Sequence, residues 1–320
     1  MESENQLKKV SVVIPCFKDS STLELALKSV FSQSYKVSEI IVVNDASPET
    51  TEIEAILSTY PTVIYIKNNQ NKGLAASRNI GVNAATEEII SFIDADDELH
   101  PQKIEAQMTL FQSGTAFSCR VMRISNERER AILKKYTGHW KHSIYRSSLS
   151  IIKSNKLTGA SLLIEKNLFM AIGGYDESLR SCEDFDLWLR LLDSGIKAVN
   201  IELPLYLYRL NDNGLSRNYV EISKWEIAVL KKYFLRKSHS KLYSQYMSFI
   251  YTFWIFKHLV RFEECRDPVL LQNINNNLIL INKNLIARLS LIVIRFFKIP
   301  SLVLYLRNIK NIVGCNYSKA

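Results

Sequence analysis

Short apolar runs alternate with helical stripes along the first two thirds of the chain, at a spacing too long for hairpins. Val10 to Ile14 (VSVVI) is a β-branched run stopped by Pro15, the mark of a buried strand. A polar turn, CFKDSS, then opens a helical pattern from about Thr22 to Ser32, with Leu23, Leu27, Val30 and Phe31 along one face. Glu39 to Val43 (EIIVV) predicts a second buried strand that ends in Asn44 and Asp45. A helix from about Pro48 to Tyr60, a strand at Thr62 to Ile66, a helix from about Gly73 to Ala84 and a strand beginning at Ile89 follow. Such βαβ units predict an α/β fold built on a mostly parallel sheet.

Polar residues recur where these strands stop: Pro15 to Asp19, Asn44 and Asp45, and Asp94 to Asp97. Right-handed crossovers bring the strand ends to one side of the sheet, so the three turns are expected to line a single crevice. In IISFIDADD the strand residues Ile89, Ile90, Phe92 and Ile93 lead straight into Asp94, Asp96 and Asp97. Clustered like charges need a cation, and the hard divalent ions Mg²⁺ and Mn²⁺ suit oxygen ligands and bridge carboxylates to phosphates. An acidic turn that caps a helix starting near Pro101 is the plainer account. Asn71 to Asn79 (NKGLAASRN) adds Arg78 to the crevice, placed to meet phosphate with a forked pair of hydrogen bonds. A Gly-led helix start with a solvated Arg is its alternative.

Beyond the fourth strand, Thr115 to Ser125 is a strand candidate, followed by a polar loop through about Ser147. Its Tyr136, His139, Trp140 and His142 suit either acceptor contact or plain surface packing, and their spacing matches no metal site. Gly159 to Glu165 (GASLLIE) predicts a further strand. Ile172 to Gly195 predicts a Gly-rich turn and then a helix with Phe185, Leu187, Trp188, Leu191 and Leu192 buried. Glu183 and Asp184 fall in its first turn, either as ordinary acidity near the helix dipole or as a general base at the crevice. A strand pair at Ile196 to Val199 and Leu205 to Arg209 closes this part.

Charge marks a boundary. Residues 1 to 220 hold 25 Lys and Arg against 27 Asp and Glu, and residues 221 to 320 hold 16 against 5, which makes the parts about −2 and +11. Two regions are expected: 8–217, the α/β domain, and 218–320, a basic, aromatic-rich helical region with helices at about 220–235, 240–262, 268–287 and 289–313. The longest apolar run, Met247 to Phe256, is half of the ~20 residues a membrane span requires. The basic helices fit an anionic membrane surface; the alternative is a helical cap whose apolar faces pack on the α/β domain or on a second subunit, which would make an oligomer. Five scattered cysteines form no CxxC pair, and the polar start, MESENQLKK, lacks a signal peptide's pattern, so a cytoplasmic setting, peripheral at the inner face of the cell membrane, is expected.

Taken together, VSVVIPCFKDSSTLELALKSVFSQS, EIIVVNDAS, NKGLAASRN, IISFIDADDELHP, LIEKNLFMAIGGYDESL and CEDFDLWLRL resemble, in order and spacing, the inverting glycosyltransferases of family 2, which have the GT-A fold. The resemblance covers about residues 8 to 217 and not the C-terminal helices. It implies that Pro15 and Phe17 wrap the nucleotide base, that Asp45 meets the base edge, and that Arg78 contacts the base and diphosphate region. It also implies that Asp94 contacts the ribose with Ala95 beside it, and that Asp96 binds the metal. Asp184 corresponds to the catalytic base, and Glu183 contacts acceptor or base.

Asn44 stands where Asp is more usual, and Asn211 stands roughly where many members carry a His that joins the metal. The implied reaction moves a sugar from a nucleotide-diphosphate sugar, UDP-linked by family habit, to an acceptor hydroxyl. A lipid-linked or growing surface polysaccharide, such as lipopolysaccharide or capsule, is the expected acceptor. The rivals are a two-carboxylate hydrolase, a sugar nucleotidyltransferase and a non-catalytic membrane-associated nucleotide-sugar-binding or scaffold protein. A nucleic-acid partner is not expected, since no reading motif accompanies the basic tail.

Overall fold

The computed structural model of the protein describes residues 8–134, 141–210 and 219–237, with positions 250, 254 and 257. The chain divides into two compact units, Met1–Arg217 and Asn218–Ala320.

In the first unit, β1 (Val10–Cys16), β2 (Glu39–Asn44), β3 (Ile64–Lys67) and β4 (Ile89–Phe92) are parallel neighbours. The helices α1 (Ser20–Phe31), α2 (Thr50–Leu57) and α3 (Leu74–Ala84) connect them. β1 is central among the four, and Val10, Val12, Val13 and Ile14 are fully buried, as a β-branched run covered on both faces should be. Gly81 lets α3 lie against it: a Cβ there would stand 2.3 Å from Val13 Cγ1.

The second half adds β5 (Glu98–Leu99), α4 (Lys103–Thr109), β6 (Thr115–Ile124), α5 (Glu127–Lys134), β7 (His142–Tyr145), β8 (Leu163–Glu165), α6 (Lys166–Ala171), α7 (Glu183–Asp193) and β9 (Lys197–Arg209). The nine-stranded sheet has the order β3-β2-β1-β4-β8-β6-β9-β5, with β7 paired to β9. β8 runs antiparallel to both β4 and β6, and β9 runs parallel to β6. Two reversals restore the direction, so the carboxyl ends of β6 and β9 share the sheet edge with those of β1, β2 and β4.

Three expectations are corrected. The predicted pair of strands at 196–199 and 205–209 is one strand, β9. Cys119 faces Ile201 and the next β6 residue, Arg120, faces Pro204, so β9 absorbs the extra residues as a bulge. Only the second half of GASLLIE pairs as a strand, because the Leu162 amide turns back to donate to the Gly159 carbonyl. The polar loop before Ser147 contains α5 and β7. α5 (ERERAILK) has no apolar stripe to betray it, and caps hold it instead: Glu129 N–H donates to Asn126 Oδ1, and Ser125 N–H donates to Glu129.

In the second unit, α8 (Tyr219–Lys237) buries Ile227, Val229, Leu230 and Tyr233. Lys257 lies over the Trp254 ring at 3.9 Å and pairs with Glu226 at 3.2 Å. No helix among the described residues is long and apolar enough to cross a membrane. The helices predicted at 268–287 and 289–313 lie outside the described residues, as does 240–262 apart from three positions.

Gly81→Ala should lower the unfolding free energy by about 1–3 kcal/mol, the cost of overpacking a filled contact. Urea denaturation reads this as an earlier midpoint, and an unchanged midpoint would show that the α3–β1 contact yields.

Candidate active site

Three turns stand side by side at the carboxyl ends of β1, β2 and β4. The turn after β2 is built on two buried polar residues. Asn44 accepts from Ser47 N–H at 2.8 Å and donates to the Thr50 and Tyr65 hydroxyls. Asp45 accepts from Lys72 N–H, Gly73 N–H and Asn68 Nδ2, each at 2.8 Å. Asp45 therefore pins the start of α3 beside β2, and Gly73 takes φ +94° to present its amide. In the first turn Lys18 N–H donates to Ser47, Phe17 is 37% exposed, and Pro15 lies buried inside β1.

Arg78 occupies the centre. Nη2 donates to Asp94 Oδ1 at 2.6 Å and Nη1 to Glu183 Oε1 at 2.7 Å. Its guanidinium carbon lies 5.3 Å from the Tyr175 ring centroid, and the side chain is 2% exposed. Burial works against its charge, but Asp94 and Glu183 outweigh it and hold the guanidinium pKa above its ordinary value. The fork expected to grasp phosphate is thus made to two carboxylates, which ties α3, the end of β4 and the start of α7 together. Asn79, the next residue, donates to the Tyr175 carbonyl and accepts from Tyr175 N–H, so the Gly-rich turn is fastened to α3 as well.

The acids after β4 have different surroundings. Asp97 is buried and accepts from the Tyr206 hydroxyl at 2.7 Å and Arg209 N–H at 2.8 Å. Burial, with Asp96 and Asp94 nearby, pushes its carboxyl well up. Asp96 is partly exposed, and no side-chain hydrogen bond to another described residue is made by its carboxylate. Burial, then Asp94 and Asp19, push it up to about 7. Asp19 is pushed up to about 6 by burial, with Asp94 adding to it.

Arg78 is one cation shared by Asp94 and Glu183, and Asp96 and Asp19 add two more carboxyl groups, so the cluster is acid-rich. Such a cluster suits a hard cation. No group of three His, Cys, Asp or Glu among the described residues forms a protein-only cage, so such an ion would take its other oxygens from phosphate and water. Asn211 lies outside the described residues.

Asp184 opens α7 beside Glu183. Its carboxylate accepts from Phe185 N–H at 2.6 Å and from Gly159 N–H at 3.2 Å, and the residue is partly exposed. Burial, then the neighbouring Glu183, pushes it up to about 6. Gly159 is required for this approach, since a Cβ there would lie 2.4 Å from Asp184 Cβ. Further along α7, Asp186 receives Arg190 Nε at 2.7 Å, while Arg190 also donates to the Ile172 and Gly174 carbonyls. The non-Gly residues of the described chain with positive φ are Lys18, Ala46 and Cys182. Each sits in a turn that carries one of these side chains, and each holds a conformation that costs about 1–3 kcal/mol.

The structure brings Arg78, Asp94 and Glu183 into direct contact, with Asp184 adjoining Glu183 and with Ala95 buried beside Asp96. Glu183, expected to contact acceptor or base, is buried and its carboxylate accepts from Arg78. Sequence reasoning assigned no role to Tyr175, Asn79, Gly159, Tyr206 or Arg209. The first two lay within quoted motifs, but nothing in periodicity signals a partner nearly a hundred residues away.

Residues 11–165 match the family described as Glycosyl transferase family 2. An uncharacterised glycosyltransferase of Rickettsia typhi is 30% identical over 187 residues, 57% of this chain and 58% of that protein, so the chain spans less than two thirds of that relative's length. The Escherichia coli protein WfaP, named as a UDP-Glc:alpha-D-GlcNAc-diphosphoundecaprenol beta-1,3-glucosyltransferase, is 26% identical over 236 residues, 73% of this chain and 90% of WfaP. The mannosyltransferase PcManGT from Pyrobaculum calidifontis, solved in complex with GDP-Man and Mn²⁺, gives a TM-score of 0.58 at 16% identity over 94% of this chain and 84% of its own. The mixed α/β unit with its nine-stranded sheet has the Rossmann-like GT-A fold of glycosyltransferases. The match over residues 11–165, with these relatives, supports a place in family 2.

Arg78→Met should cost about 3–5 kcal/mol, because it leaves two carboxylates without their buried cation. Chemical denaturation measures this directly. A loss below about 1 kcal/mol, the level of an exposed pair, would show that water reaches the site and screens it.

Proposed function

We infer that the chain transfers a glycosyl group from a nucleoside-diphosphate sugar to an acceptor hydroxyl, with inversion at the anomeric carbon. The observation that carries this reading is the junction of Asp184 with the acids of β4: Asp184 adjoins Glu183, and Glu183 meets Asp94 through Arg78. A proton acceptor is thereby fixed relative to a cluster suited to a nucleotide and a cation.

In the reaction, the acceptor oxygen attacks the anomeric carbon from the face opposite the diphosphate. The C–O bond to phosphate breaks, and the acceptor's proton passes to Asp184. Asp184 is suited to this because its raised pKa makes it a stronger base than an ordinary carboxylate while it stays largely ionised at neutral pH. The amides of Phe185 and Gly159 orient the carboxylate. Arg78 holds Asp94 where it can accept from a ribose hydroxyl. Pro15, Phe17 and Asp45 form the base end. Bound at Asp96, a Mg²⁺ or Mn²⁺ ion would neutralise charge on the departing diphosphate.

UDP is the proposed nucleotide, on the strength of the donor in WfaP's name. The acceptor is proposed to be a lipid-linked or growing surface saccharide, again by analogy with WfaP, reached from the cytoplasmic side of the membrane. The excess of Lys and Arg after residue 220 would hold the enzyme on an anionic leaflet there.

Asp184→Asn should reduce transfer by about 10²–10⁴ while leaving donor affinity near that of the wild type. Wild-type turnover by this variant would remove Asp184 from the role of base. In the unmodified enzyme, the rate should fall about tenfold per unit as pH drops below about 6, because the carboxylate is then protonated. A rate flat from pH 7 down to 4.5 would contradict that assignment. UDP with Mn²⁺ should raise the Tm above UDP alone, and in Asp96→Ala the two should coincide. A persisting Mn²⁺ increment in that variant would place the ion elsewhere.

A further inference from the structure

The Gly159 amide that orients Asp184 belongs to the peptide between Thr158 and Gly159. A trans peptide is planar, with its carbonyl and its N–H directed to opposite sides, so whatever fixes the Thr158 carbonyl also aims the Gly159 N–H. Ser161 fixes it: the Ser161 hydroxyl donates to the Thr158 carbonyl at 3.1 Å.

Ser161 is itself held from two other elements. Its Oγ accepts from Cys119 N–H of β6 at 3.1 Å and lies 3.0 Å from Ser118 Oγ, and its carbonyl accepts from Gln107 Nε2 of α4 at 3.0 Å. Ser118 Oγ in turn accepts from Thr158 N–H at 3.1 Å. A hydroxyl carries one proton and two lone pairs, and the Ser161 proton is committed to Thr158. The shared proton therefore comes from Ser118, and both hydroxyls are satisfied. Both serines are fully buried, where a polar side chain is tolerated only with its hydrogen bonds made. β6 thus reaches Asp184 through two hydroxyls and one peptide. The Gly159 carbonyl is held as well, by Leu162 N–H at 3.1 Å and the Tyr175 hydroxyl at 3.3 Å.

We propose that Ser118 and Ser161 are positioning residues for the proton acceptor, holding the Thr158–Gly159 peptide so that its amide orients the Asp184 carboxylate and favours its ionised form. The role given to Asp184 rests on the transferase reading. The other groups that face Asp184 are Glu183 on its own helix, Arg78 from α3, Tyr175 from the Gly-rich turn, which burial keeps a neutral phenol, and the uncharged Asn155. None of them bonds to Ser118 or Ser161 through its side chain, so a change in the titration of Asp184 on altering either serine reports the Gly159 amide.

The full chain labelled with ¹⁵N-glycine shows only the amides of its 10 glycines. One of them should titrate with a midpoint near 6 in the wild type, and the titration lost in Asp184→Asn identifies Gly159. In Ser161→Ala its amplitude should fall and its midpoint should rise by about half a unit or more, because a hydrogen bond to the charged form is weakened. Ser118→Ala, which leaves the bond from Ser161 to Thr158 in place, should shift it in the same direction by less, and it carries the test if Ser161→Ala does not fold. In turnover, Ser161→Ala should lower kcat about tenfold at neutral pH and move the acid limb of the profile upward, with UDP affinity within about twofold of the wild type. An unmoved Gly159 titration and acid limb would overturn the proposal, as would a fall in kcat matched by an equal fall in UDP affinity, the mark of a general loss of structure. Wild-type turnover by Asp184→Asn, with the Gly159 titration still shifting in Ser161→Ala, would instead count against the base reading and leave the two serines without a catalytic role.

Discussion

A guanidinium that is 2% exposed is tolerable only with carboxylates against it, and Arg78 has two, from segments far apart in the chain. Asp94 comes from the end of β4 and Glu183 from the start of α7, 105 residues from Arg78. Desolvating three charges is costly, and an apolar trio of similar size would hold the unit together at least as well. What the ionic arrangement adds is position. It fixes the acid that ends the parallel strands relative to the helix that carries Asp184, with hydrogen bonds whose directions leave little freedom.

The surrounding structure serves that junction. Asp45 anchors the first turn of α3 through the amides of Lys72 and Gly73, so Arg78 approaches from a fixed helix. Asn79 fastens the Gly-rich turn to α3, and Arg190 braces the same turn from α7. Tyr206 and Arg209 of β9 hold Asp97, while the partly exposed Asp96 beside it has its pKa raised by burial and by Asp94 and Asp19. The cluster combines one neutralised acid with two whose pKa values are raised, and that pattern marks sites that await a cation or a proton more often than it marks plain scaffolding.

The alternation of apolar runs and amphipathic stripes carried most of the fold, because a doubly covered parallel sheet leaves a strong imprint in VSVVI, EIIVV and IISF. Elements held by caps or by a neighbouring strand left little imprint. α5 has only the run Ala131 to Leu133 and no apolar stripe at helical spacing, β7 is four residues long, and β9 continues past Pro204 only because β6 accommodates its bulge. At the site, residue types and turns were legible, whereas pairings were not. Arg78 could be placed near the acids from its motif, but its burial between Asp94 and Glu183 depends on a contact between chain segments that no local pattern encodes. The same holds for Gly159, whose missing side chain matters only because Asp184 lies against it.

The central claim is that one crevice takes a nucleoside-diphosphate sugar and delivers its sugar to a hydroxyl. The most direct test is a panel of UDP-, GDP- and dTDP-sugars incubated with the full chain, Mn²⁺ and a lipid-linked saccharide, with released nucleotide as the readout. The account predicts acceptor-stimulated release from at least one UDP-sugar. No release and no binding across the whole panel would contradict it.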